Sequence, residues 1–457
     1  MPSVSCALAA AAALLLANPV AGGVMPPPRD VARYKWLVNA GSNASEPQQV
    51  HASFGEDPMT SLQFVWSTRT AADTILRFGE AGKPMTSIAN GTSTPFDEPV
   101  QFIHRAAATG LRAGTTYSYV VGSPAGGWSN VSTMTTAPVP GSPEAGALVF
   151  AVYGDMGLDN ERSLAWLVKD VEAGAFDAVL HVGDLGYDLD SDGGLRGDAF
   201  MNSIAPITAR VPYHTMPGNH EIEGGTFKAY RSRFWMPASN DALYHSIDVG
   251  NAHFSMISSE MYFAISEYGL LMMPEQFTWL EKDLAAVDRT KSPWLVLMLH
   301  RPMYCQDDDS QGDACHTLTN PTRVGYFGQY ALEPLLLKYG VDLVVGAHEH
   351  FLGLSKVLYN NNASTAAMSN QTDGSILFRN PGAPVHILAG SAGCPEKLDV
   401  LSPTQPEWSA GAWDVYGYGY LSFPSASRAT WSFRNDTDGS IINRLEFQQD
   451  HHGPFAA

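Results

Sequence analysis

Between Gln49 and about Thr136, apolar side chains recur at every second position. Leu62, Phe64 and Trp66 alternate with Gln63, Val65 and Ser67, and Tyr117 and Tyr119 flank Ser118. Runs of this period, broken by Gly, Pro and Asn turns, predict an antiparallel β-sandwich, because successive side chains of a strand face opposite ways. Residues 137–146 form a Pro/Gly linker and mark a domain boundary. Beyond it the period changes. Residues 148–152 and 178–182 are short apolar runs, and between them Leu164, Leu167, Val168 and Val171 share one face of a helix over 160–172. Phe277, Leu280, Leu284 and Val287 mark a helix over 274–287, followed by a strand over 295–299. A helix over 329–339 precedes a strand over 341–345. Apolar strands alternating with amphipathic helices predict α/β layers. Residues 359–384 read as a surface insertion, and a β-rich tail runs from Val385 to about Phe447.

The polar signals sit at the ends of the buried strands. Gly154-Asp155-Met156-Gly157 ends the first, and Gly183-Asp184-Leu185-Gly186-Tyr187 the second. Gly218-Asn219-His220-Glu221 follows a third strand over 212–216. His300-Arg301-Pro302 ends another, and Gly346-Ala347-His348-Glu349-His350 the last. In an open α/β sheet the carboxyl ends of the strands line the ligand crevice, so these loops are expected to converge. Together they offer two Asp, one Tyr, one Asn and several His. Carboxylate and phenolate suit a hard ion, and imidazole suits divalent Zn, Fe or Mn. One carboxylate can bridge two ions, so the inventory fits two adjacent metals able to clamp a phosphate oxygen. Taken singly each motif has a plainer reading. A Gly-Asp is commonly a turn, Asn219-His220 could cap a helix, and His181 reads as a hydrogen-bonded core histidine.

Composition narrows the classes. Lys and Arg total 27 against 46 Asp and Glu, a net charge of −19. That excludes a general nucleic-acid or anionic-membrane binder, since both need basic surface. Residues 1–23 predict a secretory signal peptide: an apolar stretch over 7–16 leads into small residues near Ala21 and Gly23. The stretch is too short to span a bilayer. Asn43, Asn90, Asn130, Asn362, Asn370 and Asn435 head N-x-S/T sequons, which fit a secreted chain. Cys6 leaves with the leader. Cys305 and Cys315 bracket a polar, acidic loop and are expected to pair. Cys394 is left as a buried free thiol or an intermolecular bridge.

Residues 111–119 resemble the turn and strand of a fibronectin type III module, where a Tyr closes the sandwich corner; a tight turn before any strand reads the same way. The five strand-end blocks resemble those of the purple acid phosphatases, within the calcineurin-like metallophosphoesterases, over about residues 47–445. Residues 177–184, 300–305 and 390–394 look most like the long, animal-type iron/zinc subgroup. The resemblance implies an α/β metallophosphoesterase sandwich of two mixed sheets flanked by helices over 147–384. It implies a fibronectin III-like domain over 47–138 before it and a β-rich completion over 385–447. It also implies that Asp155, Tyr187 and His350 bind Fe(III), that Asp184 bridges, and that Asn219, His300 and His348 bind a divalent ion, Zn or else Mn or Fe(II). Tyr187 is the discriminating residue, because related phosphodiesterases generally lack a Tyr there.

By the same resemblance the activity is acid hydrolysis of phosphate monoesters by a metal-activated hydroxide, with His220 stabilising the departing oxygen. The sequence departs from the family pattern at Leu297, at Ala347 after Gly346, and in the apolar Phe351-Leu352-Gly353-Leu354. His316 lies where plant members place extra proton donors and reads equally as an exposed loop residue. Two other functions stay open: a phosphodiesterase or nucleotide pyrophosphatase on the same scaffold, and a non-enzymatic extracellular binding protein with a vestigial site.

Overall fold

The computed structural model describes residues 44–97, 100–237, 242–264, 271–307 and 320–455. The predicted leader, Asn43, Cys315 and His316 lie outside them. The N-terminal part is a sandwich of two antiparallel sheets. One orders Gln48–Phe54, Leu62–Thr68, Val100–Ala108 and Thr92–Asp97; the other is built on Ile75–Glu80 and Thr116–Ser123. Tyr117 closes the corner, its hydroxyl accepting the Arg112 N–H at 2.9 Å.

The alternation over 62–68 predicts one wet face, yet every residue of that strand is buried. Phe64 packs inward on Tyr119, ring centroids 4.6 Å apart. Val65, on the other face, joins the core of the second domain. The outer face is therefore an interface. Gln101 and Arg69 reach the buried Asp198 at 2.9 and 2.7 Å, and the Tyr119 hydroxyl donates to the Ala209 carbonyl at 2.8 Å.

The second part stacks two eight-stranded sheets. The first runs Tyr213–Met216, Ala178–Val182, Val149–Tyr153, then the antiparallel Gly417–Ser425, Arg428–Asn435 and Ile441–Gln448, and ends on Ile376–Arg379 and Met368–Asn370. The second runs His245–Val249, Ala252–Ile257, Trp294–Leu299, Leu343–Gly346, Val385–Ala389, Leu352–Tyr359 and Asn362–Ser364, with Ser409–Trp413 also paired to Leu352–Tyr359. Aromatics interlock between the sheets: Phe150 meets Phe254 at 4.9 Å, and Phe423 meets Trp294 at 5.9 Å. The C-terminal residues thus complete both sheets. Residues 359–384 are not a plain surface insertion. Phe378 is fully buried and stacks on Phe447 at 5.0 Å, because Ile376–Arg379 pairs in parallel with Ile441–Gln448.

Parallel pairing is what positions the loops. Val149–Tyr153, Ala178–Val182 and Tyr213–Met216 run in one direction in their sheet. Trp294–Leu299, Leu343–Gly346 and Val385–Ala389 do so in theirs. Their carboxyl ends therefore open on one edge of the two-sheet stack. Cross-links stitch the ends together: Gly154 N donates to Ala389 O and Ala347 N to His300 O, each at 2.8 Å.

Candidate metal centre

Each loop leaves its strand by an abrupt turn. Asp155, Asp184, Tyr187 and His348 all have positive φ, 49–75°. Non-glycine residues in that region are strained and persist where the surroundings over-determine them, commonly at functional sites. Gly218 shows why the neighbours are small. A Cβ there would lie 2.2 Å from Asp184 Oδ1.

The side chains gather in two adjoining groups. In one, the Tyr187 hydroxyl lies 2.8 Å from His350 Nε2 and 3.4 Å from Asp155 Oδ1. His350 Nε2 is also 3.4 Å from Asp155 Oδ1. In the other, His300 Nε2 lies 3.2 Å from Asp184 Oδ2 and 3.1 Å from Asn219 Oδ1. Asp184, His300 and His348 present ligand atoms within 4.8 Å of one another. Asp155 Oδ2 joins the groups by accepting the His348 N–H at 2.9 Å. His300 Nδ1 donates to Val182 O at 2.8 Å, which leaves Nε2 as the nitrogen turned into the site.

His220 sits at the mouth. Its ring lies 4.4 Å from that of Tyr187, and its N–H donates to Asp184 Oδ1 at 3.0 Å. Asp188 Oδ1 holds its Nδ1 at 2.9 Å, so Nε2 is the free donor, 3.9 Å from the exposed carboxylate of Glu396. Burial alone would lower the His220 pKa. The Asp184 and Asp188 carboxylates outweigh it and push it up to about 9.

Several supporting residues have a role in the site that the sequence does not assign. Glu221 accepts three backbone N–H groups at 2.9 Å, from Asp184, Leu185 and Gly218, and so clips two loops together. Glu260 grips Arg301, whose Nη1 lies 2.9 Å from His348 Nε2, so the pair orients that ring. Asp399 accepts the His350 N–H at 2.5 Å. Cys394 is buried and free, and its N–H donates to Asp155 O at 2.7 Å.

The residues fit metal ions on electrostatic grounds. Asp155 and Asp184 are 0 and 1% exposed. Their ion-pair partners among the described residues are imidazoles, with no Lys or Arg. Buried carboxylates without such partners are costly unless they coordinate cations. For His300, burial lowers the pKa but Asp184 and Asp155 push it up to about 10. That is the field of a site built to hold positive charge. Burial, reinforced by Asp155, holds the Tyr187 phenol well above its ordinary pKa. Only a hard, highly charged ion would draw off that proton.

The remaining expected positions are dispersed. His181 is fully buried, bonded to the Tyr213 hydroxyl, and lowered to about 3 by desolvation, which keeps it neutral. Cys305 is buried, and its expected partner Cys315 lies outside the described residues. Asn90, Asn130, Asn362 and Asn370 are exposed, while Asn435 is half-buried with its Oδ1 accepting Thr437 N. The apolar residues after His350 are explained by the fold: Phe351, Leu352 and Leu354 are buried as the chain enters a sheet strand.

Fold and site together define a calcineurin-like metallophosphoesterase, and residues 148–352 match the calcineurin-like phosphoesterase family. Residues 47–136 match the purple acid phosphatase N-terminal domain, and 383–444 the iron/zinc purple acid phosphatase-like protein C domain. Acid phosphatase type 7 of Danio rerio is 36% identical, covering 90% of this chain and 93% of its own. The Homo sapiens protein of that name is 37% identical, covering 88% and 91%. Purple acid phosphatase 22 of Arabidopsis thaliana is 29% identical over 91% of this chain and 87% of its own. The solved purple acid phosphatase of yellow lupin seeds shares the fold, with a TM-score of 0.75 at 22% identity over 90% of this chain and 76% of that one. The chain belongs to the purple acid phosphatase family, and its chemistry is phosphoester hydrolysis.

Proposed function

We propose that the protein is a secreted acid phosphatase that hydrolyses phosphate monoesters at a pair of metal ions, Fe(III) and a divalent partner. The observation that carries this reading is the pair of buried carboxylates, Asp155 and Asp184, set among two donor groups of different hardness. Asp155, Tyr187 and His350 would hold the trivalent ion, and Asn219, His300 and His348 the divalent one, with Asp184 shared. When bound, the metals supply Lewis acidity and a nucleophile that persists in acid.

The chain's own groups do the rest. Val182 O fixes the His300 tautomer, and the Glu260–Arg301 pair fixes the His348 ring. Glu221 locks the Asp184 and Asn219 loops at one spacing. Asp188 orients His220 so that its Nε2–H faces the opening, where it donates to the departing oxygen. Secretion is supported by the apolar leader over 1–23 and by four exposed sequon asparagines, which would carry glycans. A Cys305–Cys315 bridge would suit the same oxidising compartment.

A direct assay compares p-nitrophenyl phosphate with bis-p-nitrophenyl phosphate at about pH 5. The monoester should be turned over faster by at least roughly tenfold in kcat/KM. Faster turnover of the diester would replace this reading with a phosphodiesterase.

A further inference from the structure

Beside the metal centre lies a second feature, lined by none of the seven expected ligands nor by His220. A cavity of about 610 Å³ is lined by Asp159, Asn160, Arg162, Pro395, Lys397 and Tyr416, among others. It is within the volume range of small-molecule sites. It also adjoins the reacting position. Glu396, between two of its lining residues, has carboxylate oxygens 3.9 Å from His220 Nε2 and 3.9 Å from His350 Nε2. Pro395 and the Tyr187 ring meet at Gly157, where a Cβ would lie 3.1 and 3.2 Å from them. The same short loop thus forms one wall of the centre and one wall of the cavity.

The cavity carries two cations in a chain of net charge −19. Arg162 and Lys397 form no ion pair among the described residues, whereas the cavity's acid, Asp159, is bound to Arg196 at 2.7 Å. Arg162 is built in place. Its Nε donates to Asn160 Oδ1 at 2.7 Å and its guanidinium lies over the Tyr416 ring at 5.5 Å. The Asn160 amide in turn donates to Gly393 O and Cys394 O, each at 2.8 Å, on the loop that leads to Lys397. That loop is held in strained backbone, with φ of +43° at Cys394 and +81° at Lys397.

We propose that this cavity is a subsite for the leaving group, and that Arg162 and Lys397 select phosphate monoesters whose leaving group carries a second phosphoryl-type anion. The assignment rests on the phosphatase reading above. The scissile phosphate is handled at the centre, and the second anion is bound by the two cations through charge-assisted hydrogen bonds. Glu396, turned to the centre, leaves Lys397 as the cation on the cavity side.

The test uses the full-length metal-loaded protein with phenyl phosphate and its para-phosphonomethyl derivative, whose second anion cannot be cleaved. The wild type should favour the derivative in kcat/KM by roughly tenfold, with the preference shrinking as salt is added. In the Arg162→Ala/Lys397→Ala double variant that preference should vanish, while kcat/KM for phenyl phosphate stays within about twofold. Hydrolysis of both esters without preference, or a preference surviving in the double variant, overturns the subsite alone. No hydrolysis of phenyl phosphate by the metal-loaded wild type overturns the phosphatase reading and the subsite with it.

Discussion

Asp184 is held at both oxygens, one by the His220 N–H and the other by His300 Nε2, and its own N–H is taken by Glu221. Its position is therefore set by three other residues. Tyr187 is similarly fixed between Asp155 and His350. If the proposed iron is bound, Tyr187→Phe should bleach visible absorbance while the folded protein stays intact; a spectrum of unchanged intensity would remove Tyr187 from the proposed iron site. His220 bears its donor at the mouth, so His220→Ala should lower kcat by roughly a hundredfold or more and leave metal content unchanged. Equal losses of metal and turnover would make it structural. The seven side chains gathered here were legible in the sequence because each follows an apolar strand, and all but His300 sit in a short Gly-marked block. Glu221, Asp188, Glu260 and Arg301 were not, since their partners are backbone groups or side chains from other loops and no local spacing encodes such a meeting. Arg301→Lys tests one of them: it should release the divalent ion selectively in a metal assay, because an ammonium cannot bridge Glu260 and His348 as the guanidinium does.

At the scale of elements, period and length marked most strands and helices, and burial explains where they misled. The strand Leu62–Thr68 reads as half-wet but is covered on both faces by its own sandwich and by the second domain. The helix Leu195–Thr208 escapes a periodicity reading because it is buried on nearly all sides and contains Gly197 and Pro206. The contact between the domains also carries a pH dependence. Phe54 N–H donates to His214 Nε2 at 3.1 Å, and the His214 ring stacks on His245 at 5.5 Å. Burial, and each other's charge in the case of His214, holds His214 well below its ordinary pKa and lowers His245 to about 3. The unfolded chain therefore binds more protons. This stability is complete above about pH 6.5 and is lost progressively as the pH falls below it. His214→Gln keeps an acceptor for Phe54 but cannot titrate. Its deficit relative to wild type should shrink between about pH 7.5 and about pH 4.5 in denaturant melts. Parallel curves for the two proteins would refute a titrating pair.

For the whole molecule, two sheets packed through Phe150, Phe254, Phe423 and Trp294 form a stiff base, and all the chemistry hangs from one edge of it. The loops there carry buried like charges and left-handed backbone, so the edge is destabilised by itself and stabilised by what it binds. Strong chelation should lower the melting temperature and abolish turnover together, and readdition of metal should restore both. The measurement that decides most is the metal content of the purified native protein by mass spectrometry. Two metal ions per chain, one of them iron, is the result expected from the paired donor groups around Asp184. Fewer than two per chain, or two without iron, would contradict it.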